Sequence, residues 1–148
     1  MTNEIKTLTK EEITVTLPKN VVIVIVEDDE GHYLLTRTCL RNAGLSNEIV
    51  WLEDGRRAID FFFGDAFGKD HAKYIILLDI RLPKVDGTRV LDTLKKDEKC
   101  QEIPVIMLTT SEDQELARQC YKLGCDAHVV KPPGTALLQA IKRLKTRF

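Results

Sequence analysis

The sequence predicts an α/β protein built on one parallel, doubly wound sheet of five strands. Three observations predict it. Short β-branched runs alternate with longer segments of helical period, turn residues mark the boundaries, and three of the runs are apolar at nearly every position rather than at every second one. At 148 residues the chain fits one domain, and a domain of that size buries about two-thirds of its unfolded surface, enough to fold without disulfide or metal staples.

A polar lead, residues 1–19, precedes the first strand. Its alternating Ile13-Thr14-Val15-Thr16-Leu17 would suit a further strand, while Thr9-Lys10-Glu11-Glu12 also reads as a helix capping box, so its structure stays open. Strands are expected at Val21 to Val26, Ile49 to Leu52, Tyr74 to Leu78, Ile103 to Leu108 and Ala127 to Val130. The first, third and fourth lack alternation because helices cover both faces of a parallel sheet. Helices are expected at Asp29 to Asn42, Arg56 to Phe63, Gly87 to Lys96, Asp113 to Leu123 and Gly134 to Arg147. In the last, Leu137, Ile141, Leu144 and Phe148 fall on one helical face, and Lys142, Arg143, Lys145 and Arg147 give the other side a basic character suited to a helix C-terminus. Five strand-helix repeats indicate a doubly wound sheet. Gly64 to Lys73 is a polar connection long enough to be mobile.

Composition excludes several classes. Twenty-two basic against 23 acidic side chains leave a net charge of −1, whereas a protein that grips a phosphate backbone usually carries a basic surplus. No nucleic-acid partner is expected. The longest uncharged apolar stretch, Val21 to Val26, is far short of a membrane span, so no membrane partner is expected either. The first residues lack the charged-then-apolar pattern of a signal peptide, which makes a cytoplasmic location the expectation. Cys39, Cys100, Cys120 and Cys125 show no zinc-ligand spacing and read as reduced thiols, mostly in helices.

In an open parallel sheet, ligands bind at the carboxyl ends of the strands. Here those ends are polar: Glu27-Asp28-Asp29 after the first strand, Asp79 after the third, Thr109-Thr110-Ser111 after the fourth, Lys131-Pro132 after the fifth. Neighbouring strand ends would gather the carboxylates, hydroxyls and one ammonium in a single cleft. Clustered carboxylates repel unless a cation sits among them, and hard oxygen ligands on a shallow site suit Mg²⁺ completed by phosphate oxygens. A lone lysine opposite would act as a point charge on the same phosphate. Positioning and charge neutralisation of this kind are what phosphoryl transfer requires.

These motifs resemble the response-regulator receiver domain of two-component signalling. The resemblance runs from about Asn20 to the C-terminus and rests on Val-Ile-Val-Glu-Asp-Asp at 24 to 29, Glu-Asp-Gly at 53 to 55 with Ala58, Leu-Leu-Asp-Ile-Arg-Leu-Pro-Lys-Val-Asp-Gly at 77 to 87, Ile-Pro-Val-Ile-Met-Leu-Thr at 103 to 109 and Val-Lys-Pro at 130 to 132. The spacings from Asp79 to Thr109, 30 residues, and from Thr109 to Lys131, 22 residues, are similar to the family's. The resemblance implies a flavodoxin/CheY-like sheet in strand order 2-1-3-4-5, with residues 1–19 as an N-terminal extension and 20–148 as the receiver domain. It implies that Asp79 accepts a phosphoryl group from the phosphohistidine of a sensor histidine kinase. Asp28 would ligate Mg²⁺ directly and Glu27 through water, with Asp79 and the Arg81 backbone carbonyl completing the set. Thr109 and Lys131 would contact phosphoryl oxygens, and His128 would follow the Thr109 switch toward the face of the fourth helix, fifth strand and fifth helix. Receivers pair through that face, which implies a homodimer with Leu137, Ile141 and Phe148 near it. A cis Lys131-Pro132 bond is likewise implied. Arg81, Thr110 and Ser111 would border the phosphoryl group, Arg81 crowding or pairing with the site and slowing hydrolysis.

A finer resemblance, in Leu108 to Ser111 and Cys120 to Gly124, is to the small phytochrome-associated receivers of the Rcp type, which implies a bacteriophytochrome as the kinase. Arg81 replaces their usual Asn, and the tail after the last helix is short. With no output domain in the length available, the signal is expected to leave through a downstream protein target or a phosphotransfer protein. The domain is thus a phosphoacceptor rather than an enzyme acting on other substrates.

Simpler roles stand beside these. Asp29 reads as a helix N-cap, and Asp86 as the cap of the third helix. His32 and His71 read as incidental, Trp51 and Phe61 to Phe63 as core and edge packing, and Cys120 and Cys125 as packed thiols. Two alternatives remain: a degenerate receiver that binds partners without phosphorylation, and a haloacid-dehalogenase-like phosphatase. The second needs Asp-x-Asp for its general acid and base, where this chain has Asp79-Ile80-Arg81.

Overall fold

The computed structural model describes residues 13–68 and 72–148. The capping-box reading at Thr9 to Glu12 and the residue His71 lie outside them. The elements are β1 (Val21–Val26), α1 (Glu30–Asn42), β2 (Ile49–Leu52), α2 (Gly55–Phe62), β3 (Lys73–Asp79), α3 (Gly87–Lys95), β4 (Val105–Thr109), α4 (Gln114–Leu123), β5 (Ala127–Val130) and α5 (Thr135–Leu144), closed by a 3₁₀ turn at Lys145–Arg147. All strand pairs are parallel, in the order β2-β1-β3-β4-β5.

The near-absence of alternation in the apolar runs has the reason expected of it. Side chains of a strand point alternately to opposite faces, and here both faces are core. Ile23, Ile25, Ile75, Leu77 and Ile106 pack with Leu40 of α1 and with Leu137 and Ile141 of α5. Val24, Val26, Ile76, Leu78 and Met107 pack on the other side with Ala58, Val90, Leu91, Leu94 and Cys120 from α2, α3 and α4.

Element ends follow local chemistry. Asp29, Asp54, Asp86 and Asp113 each sit at an N-cap, their carboxylates accepting from the amides of His32, Arg57, Thr88 and Glu115. β4 begins at Val105 rather than Ile103, since Pro104 has no N–H to donate to a ladder. α4 ends at Gly124, whose left-handed φ of 106° lets the Cys125 amide return to the Cys120 carbonyl at 3.1 Å.

One open segment is resolved and three expectations need correction. Ile13 to Leu17 forms no strand, yet Val15 and Leu17 are buried in the core and the Val15 amide donates to the Ala43 carbonyl at 3.0 Å. Alternation there reports one buried face without a partner strand. Leu137 and Ile141 are fully buried under the sheet and Phe148 packs against the same core, so none of the three supplies an α4-β5-α5 surface; Tyr121 and Val130 are the exposed large side chains of that face. Arg147 is not a purely solvated base, because it donates to Asp126 at 2.6 Å and to the Glu102 carbonyl at 2.8 Å. Of the four free cysteines only Cys39 and Cys120 lie in helices, while Cys100 and Cys125 follow α3 and α4 in loops. Burial pushes the Cys100 and Cys125 thiols up to about 12, in keeping with packed groups.

The segment after β3 is held by two close approaches. A Cβ on Gly55 would lie 1.8 Å from the Val85 carbonyl oxygen, and one on Gly87 would lie 2.0 Å from that of Asp79. Gly134, in contrast, faces open space. Gly55→Ala and Gly87→Ala should each lower the unfolding free energy in urea by about 2 kcal/mol or more, while Gly134→Ala should stay within about 0.5 kcal/mol of the parent.

Candidate functional site

The order of strands reverses between β1 and β3, and a cleft opens where their carboxyl ends diverge. β1 delivers Glu27 and Asp28 to it, and β3 ends in Asp79. One ligand oxygen from each of these carboxylates lies within 4.8 Å of the others. Asp28 is exposed, while Glu27 is 2% and Asp79 8% accessible, so the cluster runs from solvent into the protein.

From the far side of the sheet, β5 delivers Lys131 through a cis Lys131-Pro132 peptide. Its side chain is 5% exposed and its ammonium reaches three acceptors: a very close ion pair with Glu27, Asp79 Oδ2 at 3.3 Å and His32 Nδ1 at 3.3 Å. Burial raises the Glu27 carboxyl above the ordinary range and the Asp79 charge pushes the same way, against the opposing pull of Lys131. The ammonium is therefore the internal counter-charge of the cluster.

Neighbouring contacts fix the surroundings. Trp51 Nε1 donates to the Glu27 carbonyl at 2.8 Å, and its ring stacks on Tyr33 with centroids 4.1 Å apart. Asp54, at the start of α2, meets Lys84 at 3.5 Å and so ties the loop beyond Asp79 to α2. The Ile80 amide donates to the Leu108 carbonyl at 3.2 Å, and the Lys131 amide to the Thr109 carbonyl at 2.7 Å.

Thr109 is buried at the end of β4. Its hydroxyl oxygen accepts from the Ser111 amide at 3.1 Å, and the Ser111 hydroxyl oxygen accepts from the Asp113 amide, also at 3.1 Å. Asp113 caps α4, so a short relay joins Thr109 to that helix. Thr110 is exposed. Arg81 is exposed and forms no ion pair with a described residue; a guanidinium here also leaves no second carboxylate for a phosphatase of Asp-x-Asp type. His128 lies on β5, its Nε2 buried without a hydrogen-bond partner among the described residues and its amide donating to the Tyr121 hydroxyl at 3.2 Å.

His32 corrects the reading of that residue as incidental. It sits one turn into α1, three residues after the Asp29 cap, and that spacing turns it toward the strand ends. Its ring is 3.8 Å from Glu27 Oε1 as well as in reach of Lys131. The available signal was the spacing from the acidic triplet.

A doubly wound sheet whose strand ends present three clustered carboxylates, a buried threonine and a buried lysine defines a receiver-type signalling domain. The chain belongs to the response regulator receiver domain family of two-component systems, whose model matches residues 23–142. It is 36% identical over 111 residues to the probable methanogenesis regulatory protein FilR2 of Methanothrix harundinacea, covering 75% of this chain and 72% of that one. It is 32% identical over 111 residues to the response regulator Rcp1 of Synechocystis sp., covering 74% of this chain and 76% of Rcp1. The bacteriophytochrome response regulator AtBRR superposes with a TM-score of 0.73 at 36% identity, over 86% of this chain and 93% of that one. Rcp1 itself, solved in a Mn²⁺-bound form, superposes with a TM-score of 0.67 at 27% identity, over 84% of this chain and 91% of that one.

Burial of the His128 ring holds its pKa below the ordinary histidine value. The unfolded chain then binds a proton near pH 6.5 that the folded chain resists, so the histidine's penalty is absent at higher pH and grows as pH falls through about 6.5. Urea unfolding at about pH 7.5 and 5.5 should show His128→Phe gaining stability relative to the parent at the lower pH.

Proposed function

We propose that this receiver accepts a phosphoryl group on Asp79 from the phosphohistidine of a sensor histidine kinase. The observation that carries the reading is the Lys131 ammonium placed between Glu27 and Asp79, with Asp28 completing the carboxylate cluster. An Asp79 carboxylate oxygen attacks phosphorus, and the bond from phosphorus to the kinase imidazole breaks as the acyl phosphate forms. Lys131 and the Thr109 hydroxyl bind the transferred oxygens, a role of positioning and charge neutralisation.

The donor set is all hard oxygen and partly exposed, which suits Mg²⁺. Asp28, Glu27, Asp79 and the Arg81 backbone carbonyl would hold it, and when bound it supplies Lewis-acid neutralisation of the phosphoryl oxygens. Ser111, Thr110 and Arg81 border the same cleft.

The signal leaves by protein contact or phosphorelay. The Thr109–Ser111–Asp113 relay supports α4 as the element that responds, with His128 and Tyr121 on the adjoining α4-β5-α5 face and a homodimer through that face as one outlet. The likeness to AtBRR and Rcp1 supports a bacteriophytochrome-type kinase as the donor, and a location in the cytoplasm where such a kinase domain acts.

Full-length protein incubated with acetyl phosphate and Mg²⁺ should gain one phosphoryl group by intact mass, and EDTA or Asp79→Asn should abolish the gain. No adduct on the parent, or an undiminished adduct on Asp79→Asn, would remove the reading.

A further inference from the structure

Lys131 carries three N–H donors, and three acceptors surround it. Two are anions: Glu27, at 3% side-chain exposure the more buried, and Asp79. The third is the ring nitrogen His32 Nδ1, 3.3 Å away across 99 positions of sequence. His32 enters from α1, on the solvent side, with 40% of its side chain exposed, and with Lys131, Leu35, Thr110, Pro132 and Pro133 it lines a hollow of about 150 Å³ at the mouth of the cleft.

The three acceptors pull in different directions. Glu27 lies at the floor and holds the ammonium most closely; His32 lies toward the opening, where an incoming phosphoryl group must arrive. A lysine is a flexible point charge on a four-carbon stem. Two contacts alone leave that stem room to swing about the carboxylates. A third contact, made from α1, narrows that freedom. For Nδ1 to accept, the ring proton resides on Nε2.

We propose that His32 is a positioning residue for Lys131, a third contact that holds the ammonium beside Glu27 and Asp79 and ready to follow a phosphoryl oxygen. This rests on the phosphoryl-acceptance reading for its kinetic consequence, but the resting contact exists without any donor. Arg81 and Ser111, which border the phosphoryl position in sequence, make no contact with the ammonium; His32 does.

Two readouts test it. In protein with isotope-labelled lysine and no phosphoryl donor, the Lys131 ε-methylene and ammonium resonances should shift in His32→Ala and return toward the parent position in His32→Gln, whose side-chain oxygen restores an acceptor. With acetyl phosphate and Mg²⁺, His32→Ala should slow phosphorylation on the order of tenfold, the scale of a misplaced catalytic group, and His32→Gln should recover most of the rate at an unchanged melting temperature. Lys131 resonances that do not respond to His32→Ala overturn the proposal, whatever the kinetics. So does a rate equally lowered in His32→Gln. If the parent takes up no phosphoryl group while the Lys131 resonances shift and recover as stated, the phosphoacceptor reading fails and the positioning contact stands.

Discussion

Three carboxylates crowd into one cleft at the end of a parallel sheet, and a single buried ammonium answers them. Glu27 comes from the end of β1, Asp79 from the end of β3, and Lys131 from beyond β5, 104 positions away from Glu27. Breaking a buried pair of this kind by removing one partner leaves an uncompensated charge, which is far more destabilising than never having had the pair. The contact therefore demands that β1, β3 and β5 end at matched heights, and the rest of the fold serves that demand. The parallel registers of β1 on β3, β3 on β4 and β4 on β5 place the strand ends side by side.

The same crowding explains the character of the surrounding loops. The chain after Asp79 must turn tightly into α3 without filling the cleft, and glycines at 55 and 87 allow backbone to approach backbone where a side chain would collide. Asp54 anchors that loop through Lys84, and Trp51 reaches over to hold the Glu27 carbonyl. On the β4 side, Thr109 is already engaged with the Ser111 amide. Any pull on its hydroxyl from the cleft acts on the turn that leads into α4.

Much of this was legible in the sequence because it is a matter of strand ends. Apolar runs without alternation announced a sheet covered on both faces, and the polar residues after each run announced the cleft; Glu27, Asp28, Asp79 and Lys131 do converge, and Thr109 is buried at the end of the neighbouring strand β4. What escaped was whatever depends on the approach of one element to another. His32 belongs to a helix whose exposed and inward faces differ by a fraction of a turn, and its spacing from the Asp29 cap turns it toward the strand ends without naming Lys131 as the group it meets. Ile13 to Leu17 has the period of a strand, but the pattern records only which side chains are buried, not whether a partner strand exists. Leu137 and Ile141 lie on the apolar stripe that any surface helix needs for its core, so their pattern could not distinguish a core face from a docking face.

The central claim is that the Glu27, Asp28 and Asp79 cluster, balanced by Lys131, is a divalent-cation and phosphoryl site rather than an acidic edge. Trp51, which donates to the Glu27 carbonyl and is the only tryptophan of the chain, reports on it directly. Titration of the full-length protein with Mg²⁺ should change Trp51 fluorescence saturably, and Asp28→Asn should remove the response. A parent protein with no saturable change, or an Asp28→Asn variant that responds equally, would contradict the account.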